Sequence, residues 1–329
     1  MGGNSRDGDQ EGDPTKSDEL SGGEVVVKRG RKPREMINVR QLRGEAMRRV
    51  RHAPDALEQE EDDRGQVDRQ FIVALARGID VLGAFRPRDG ALGNSELSER
   101  TGIPAATVSR ITHTLSKLGY LNFNPRFETY ELGGGALALG YVALAKMSVR
   151  KVARPLMQEL ADQGNVNVGF GLRDRKMMIL VEACEGSGLV GLRLAAGSRM
   201  PIATTAVGRA YLAVLPARER SALLDELRPQ YGVDWATVLR GIEKAARDIE
   251  SRGFCLSIGD WQKDINGAGV PLVLPNDGGV YALDAGGPAY MLTEAQIIAD
   301  QGPKLAAMAA KIKRMMSPGG QSPDVAVAG

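Results

Sequence analysis

Two histidines, His52 and His113, and two cysteines, Cys184 and Cys255, are the whole stock of imidazole and thiol in 329 residues. A catalytic triad or a zinc site needs several such groups to converge. His52 falls in a polar stretch and His113 in a helical pattern, so neither can complete one. The best remaining carboxylate pair for acid-base work is Asp284 with Glu182. The glycine runs Gly133-Gly134-Gly135 and Gly286-Gly287 lack the strand-to-helix context and the downstream lysine or acid of phosphate loops. These residues predict no enzyme, no cofactor and no metal site.

A different constellation does have the spacing for chemistry. Between Pro104 and Gly119, Val108, Ile111, Leu115 and Leu118 recur at helical intervals. A turn of roughly 100° per residue then sends Ala106, Ser109, Arg110, His113 and Lys117 toward solvent. Arg110 can give two hydrogen bonds to guanine O6 and N7. Ser109 and Thr107 suit phosphates or either base edge, Lys117 suits phosphate, and His113 is the weaker base-contacting candidate. This is the pattern of a DNA-reading helix.

Other elements must hold that helix in place. In FIVALARGIDVLGAF, Leu75, Ile79, Leu82 and Phe85 mark one buried stripe. NSELSERTG reads as a short helix capped by Asn94 or Ser95 and ended by Gly102, and Ile103-Pro104 makes the turn, with Pro104 as first residue of the next helix. Tyr120 to Asn124 and Thr129 to Leu132 read as strands around Asn124-Pro125-Arg126-Phe127, with Arg126 at the tip, able to reach an adjacent backbone or minor groove. Residues 68–132 therefore predict a winged helix-turn-helix for duplex DNA. The plainer alternative is a three-helix packing unit with a solvated face.

Downstream, residues 133–148 form an alanine-rich linker helix too apolar to stand free, which implies packing against a second chain. Residues 149–317 alternate between a helix (VRKVARPLMQELADQ), strands around Arg173-Asp174-Arg175, a third strand near Leu189 to Leu194, and a helix from Thr205 to Leu215. Helices at Ala217 to Leu227 and Asp234 to Arg252 follow, then strands at Phe254 to Ile258, Gly269 to Leu274 and Val280 to Asp284, and a closing helix from Thr293 to Met316. Hairpins mixed with separate helices predict an α+β domain on an antiparallel sheet. Backbone amides at the start of the Thr205 helix offer a place for an anionic group. Asp284, a carboxylate inside a strand pattern, must be paired, exposed or in contact with a ligand.

Composition bounds the rest. The chain is long enough for two domains, and its 43% hydrophobic content can fill two cores. With 43 basic against 41 acidic residues the net charge is +2, so any nucleic-acid footprint is local. Residues 1–67 are charged and glycine-rich and predict a disordered arm, as do residues 318–329 a disordered tail. Within the arm, KRGRKPR (Lys28 to Arg34) reads as a minor-groove hook, a nonspecific phosphate-binding arm or a plain solvated charge run. The two cysteines suggest a reducing compartment. The N-terminus has no apolar signal segment and the longest apolar window, Ala136 to Met147, is too short to cross a bilayer, so a soluble cytoplasmic protein is expected.

With these residues in view, the sequence resembles IclR-type transcriptional regulators over residues 70–317. The likeness lies in SELSERTGIPAATVSRITHTLSKLGYL, then SRMPIATTAVGRAYLA, DIESRGFCLS and GGPAYMLTEAQI. It implies a winged helix-turn-helix followed by a GAF-like effector domain, dimers or tetramers on an operator, and a small organic effector such as an organic or aromatic acid. Carried over by position, the effector-binding residues would be Leu189, Leu192 and Met200 as apolar walls, Ala206 and Val207 at a helix start, and Ser257, Gly267, Asp284 and Gly286 on the sheet. The chain departs from the family where many members have Arg-Cys and it has Asn266-Gly267. Where they often have serines, it has Asp284 and Gly286. The alternative function is a ligand-binding or oligomerising module without sequence-specific DNA recognition.

Overall fold

The computed structural model describes residues 70–87, 89–187, 194–274 and 279–317. The arm of residues 1–67 with Lys28 to Arg34 and His52, the tail of residues 318–329, and Leu189 and Leu192 lie outside the described residues.

The first body begins with helix α1 (Val73–Gly83), continues through a short strand β1 (Leu92–Gly93), α2 (Asn94–Thr101) and α3 (Ala105–Lys117), and closes on the hairpin β2 (Leu121–Asn124) and β3 (Thr129–Leu132). β3 lies between β1 and β2, pairing Leu92 with Tyr130 and Phe123 with Tyr130 across its two edges. β1 carries only two residues and gives no period to read, so the sequence did not predict it. Val81, Leu92, Leu97, Ile103, Val108, Leu121 and Tyr130 form the core. A fully buried leucine contributes about 2–3 kcal/mol.

Four expectations need correction here. Leu75 and Ile79 are 62% and 52% exposed, because only the second half of α1 meets α2 and α3. Val81 is its buried residue. Asn94 is the first residue of α2 with Gly93 at the cap; its side chain instead accepts a hydrogen bond from the Thr112 hydroxyl on α3. Leu118 is exposed where α3 stops and the chain turns through Gly119 at φ +75, while Thr112, one turn beyond Val108, is fully buried. Pro104 caps α3 rather than opening it.

Helix α4 (Gly134–Ala145) buries none of its residues. It leads into α5 (Ser148–Gly164), whose Val149, Ala153, Met157 and Leu160 repeat along one buried face. Then come β4 (Asn167–Asp174), β5 (Met177–Glu185), β6 (Arg199–Pro201), α6 (Ala206–Ala213), α7 (Ala217–Tyr231), α8 (Trp235–Arg252), β7 (Cys255–Ile258), β8 (Ile265–Val273) and β9 (Val280–Pro288). A single turn α9 (Glu294–Gln296), capped by Thr293, runs through a π-helical segment (Ile297–Gln301) into α10 (Gly302–Met316). The expected third strand near Leu189 to Leu194 falls mostly outside the described residues; the strand beside β5 is β6.

The strands form one antiparallel sheet in the order β6-β5-β4-β9-β8-β7. One face packs on α5 and α10 through a core that includes Met157, Phe170, Leu283, Ala285 and Leu305. The other packs on α6, α7 and α8 through Met178, Leu180, Val207, Leu212, Ile242 and Ala282. Every residue of α6 from Ala206 to Leu212 is buried. It lies so close to the sheet that a Cβ on Gly269 would collide with the Ala206 carbonyl oxygen, and one on Gly208 would collide with the carbonyl oxygen of Ile202, in the segment just after β6. Glycine is required at both positions by contact with backbone. Both cysteines are free and buried. Among the described residues no helix is long and apolar enough to cross a membrane.

Candidate nucleic-acid interface and ligand cleft

Helix α3 presents Ala106, Ser109, Arg110, His113, Thr114 and Lys117 to solvent, and Thr107 is half-buried. None of its 13 residues is acidic, so nothing on the helix itself repels a phosphate. Ser109, Arg110, His113 and Thr114 line one shallow groove. The helix is held at several points. Thr112 ties it to Asn94, the Ser98 hydroxyl donates to the Ile103 carbonyl at 2.6 Å across the turn, and Val108 inserts into the core. Arg126 is exposed at the hairpin tip, its guanidinium 5.2 Å from the Phe127 ring centre, and its amide donates to Asn124 Oδ1. Thr114, not expected from the sequence, joins the exposed face because it follows His113 around the helix edge.

The second feature is a narrow cleft, partly open to solvent, between the start of α6 and the sheet. Met200, Ala206, Ser257, Gly267, Asp284 and Gly286 line it, and so do Asn167, Leu194, Thr205, Trp261, Ile265 and Asn266. Val207 does not: it points into the core under α6, where a Cβ on Gly171 would meet its Cγ2 at 3.6 Å. Its position one residue along the helix from Ala206 turns it away from the opening. The added lining residues become visible only with strand pairing, which sets Asn167 opposite Gly286 and Ser257 opposite Gly267.

The cleft's polar groups are mostly committed. Thr205 Oγ1 donates to the Pro201 carbonyl at 2.6 Å and accepts from the Gly208 amide. The Ser257 hydroxyl donates to the Thr204 carbonyl at 2.8 Å, and Asn266 Nδ2 to the Leu292 carbonyl at 2.9 Å. Asp284 differs. It is 7% exposed, and its Oδ1 has no hydrogen-bond partner among the described residues. Gly169 and Gly269 stand opposite it on the two neighbouring strands, so no side chain from those positions answers the carboxyl. Burial pushes its pKa up to about 7, with the Gly169 amide pulling weakly the other way.

The formal acid-base pair is not assembled. Glu182 faces α5, ion-paired with Arg150 at 2.8 Å and hydrogen-bonded by Arg154, whereas Asp284 lies on the α6 side of the sheet. His113 stands on the exposed face of α3.

Comparison with known proteins identifies the two bodies that carry these features. Residues 74–125 match the IclR helix-turn-helix domain and residues 141–314 match the bacterial transcriptional regulator IclR C-terminal domain. An HTH-type transcriptional regulator from Comamonas testosteroni is 34% identical over 248 residues, covering 75% of this chain and 89% of its own. Among solved structures, an IclR family transcriptional regulator from Brucella abortus is 41% identical with a TM-score of 0.64, over 76% of this chain and 94% of that one. An IclR homologue from Microbacterium hydrocarbonoxydans, solved with 4-hydroxybenzoate, shares the fold at 22% identity and a TM-score of 0.56, over 73% and 97% of the two chains. A helix-turn-helix body followed by an α+β domain on an antiparallel sheet is thus matched, segment by segment, in relatives that are regulators, and this chain belongs to the IclR family of DNA-binding transcriptional regulators.

Proposed function

We propose that residues 68–132 read an operator through Ser109, Arg110, His113 and Lys117, with Thr107 and Arg126 on the flanking backbone, and that residues 149–317 bind a small organic effector in the cleft at α6. Residues 133–148 couple the two, and the chain is not an enzyme. The observation that carries this reading is the pairing, in one chain, of an exposed basic helix free of acids with a cleft that holds an unanswered buried carboxyl.

An organic acid is the proposed effector class. Thr205 occupies the Gly208 and Arg209 amides, which leaves the Ala206 and Val207 amides at the positive end of α6 for an anionic group. The aromatic acid bound by the Microbacterium homologue supports that class. A homo-oligomer, dimer or tetramer, is supported by the uncovered apolar side chains of α4: Leu137, Leu139, Tyr141 and Val142 are all more than half exposed. As a regulator of transcription the protein works in the cytoplasm.

The effector acts by biasing the relative orientation of paired reading helices. Coupling between two sites is reciprocal, so operator DNA changes effector affinity by the same factor as effector changes operator affinity, on the order of 5- to 150-fold. Titrating each ligand in the presence and absence of the other, in the full chain, tests this. Equal affinities in both arms refute effector control, and binding to duplex DNA that shows no preference for any sequence while falling steeply with salt refutes operator recognition.

A further inference from the structure

Asp284 is the one ionisable side chain among the described residues lining the cleft. It sits on β9 at the middle of the sheet, where a charge is expensive unless something bonds it. Its two cross-strand neighbours are glycines, and the surrounding hydroxyls and the Asn266 amide already donate to main-chain carbonyls. Oδ1 consequently waits for a donor that the described part of the protein does not supply.

Resting on the reading of the cleft as an effector site for an organic acid, we infer that the effector is bipolar. Its anionic group lies at the first turn of α6, and a hydroxyl or amine elsewhere on the same molecule donates to the Asp284 carboxylate. A plain monoacid leaves Oδ1 desolvated and unbonded. A diacid sets a second negative charge against it.

The chemistry follows from what each group can do. An ionised carboxylate accepts hydrogen bonds and cannot donate them. A site built around an unmet acceptor discriminates strongly against an analogue that lacks the matching donor, because binding that analogue buries the acceptor without a partner. The raised pKa of Asp284 is the same deficit seen from the proton's side: burial that the Gly169 amide does not offset. A ligand O–H or N–H removes the deficit. The cleft's other walls, Met200, Leu194, Ile265 and Trp261, are apolar enough to take a ring or short aliphatic body between the two poles.

The test is a binding series on the full-length protein at pH 8, above the Asp284 titration, by calorimetry or thermal shift. The probes are benzoate, 3- and 4-hydroxybenzoate, 3- and 4-aminobenzoate, isophthalate and terephthalate. At least one hydroxyl- or amine-bearing monoacid should bind about 10- to 100-fold more tightly than benzoate, with both diacids weaker than benzoate. In Asp284→Asn and, as a second variant, Asp284→Ser, the ranking should flatten, with the diacids gaining relative to the hydroxy acids. If benzoate and the diacids bind wild-type protein as well as the donor-bearing acids do, the bipolar inference is overturned while the effector reading survives. The same holds if the ranking persists unchanged in folded variants. If none of the acids binds, the acid-effector reading fails and this inference falls with it. The wild-type ranking needs no variant to fold.

Discussion

Arg209 Nη1 lies 2.6 Å from Asp260 Oδ2, and the same guanidinium donates from Nε to the Ala203 carbonyl and from Nη1 to the Leu256 carbonyl. One buried side chain thereby fastens α6 to β7 and to the loop that carries Trp261 over the cleft. The Arg209 side chain is 5% exposed and that of Asp260 42%, so removing the acid strands a largely desolvated cation whose partner was itself partly in water. Asp260→Ala should cost about 1–3 kcal/mol, seen as a lower urea midpoint at unchanged slope. An unmoved midpoint would show that the two carbonyls alone suffice.

The pH dependence of stability isolates Asp284. Burial pushes its carboxyl up to about 7 in the folded chain, from an ordinary 3.8, so between those limits the folded state keeps a proton that the unfolded state has lost. This contribution is fully present below about pH 4, declines by up to about 1.4 kcal/mol per unit as pH rises, and is gone above about 7. Asp284→Asn lacks the titration. The stability of the variant relative to wild type should therefore climb between pH 4.5 and 7.5, measured by denaturant unfolding at a series of pH values. A flat difference would mean that the carboxyl is solvated.

On the reading face, Arg110→Ala should weaken operator binding by about 1–3 kcal/mol and relax preference at one base position. Lys117→Ala should weaken binding to all sequences alike and lower the slope against log salt by about one. Both side chains are exposed, so melting temperatures should stay near wild type. Fluorescence anisotropy on operator and scrambled duplexes reads both effects. Identical behaviour of the two variants would contradict the division of labour.

Self-association has its own variant. Leu137 and Tyr141 are 73% and 72% exposed on α4, a helix with no buried residue. Leu137→Glu together with Tyr141→Glu should convert an oligomer to monomer in light scattering while leaving circular dichroism intact. A monomeric wild type, or an oligomer that ignores both charges, would place any interface elsewhere.

Much of this was legible from the residues alone, and the failures have physical causes. Helical spacing located α3 and sorted Ser109, Arg110, His113 and Lys117 outward, because one apolar seam determines which way a short helix faces. The same rule failed for Leu75 and Ile79, since periodicity shows that a stripe seeks cover and not that this chain provides it. Thr112 was missed because a buried hydroxyl reads as polar until its acceptor, Asn94, is known. In the cleft, Asn167, Trp261 and Asn266 come together through strand order and loop path. Val207 shows the finer limit: one residue's step along α6 separates the cleft wall from the core.

The backbone-to-backbone seat of α6 on the sheet has a bearing on how such a protein can diversify. Gly208 and Gly269 admit no larger residue without displacing main chain, so the seat of α6 beside the cleft is closed to variation. New chemical tastes must then arise at its rim and at the Asp284 and Asn167 positions, where a side chain can be exchanged while the helix stays seated. A lineage would retune what it senses by altering a few wall residues while inheriting the same frame.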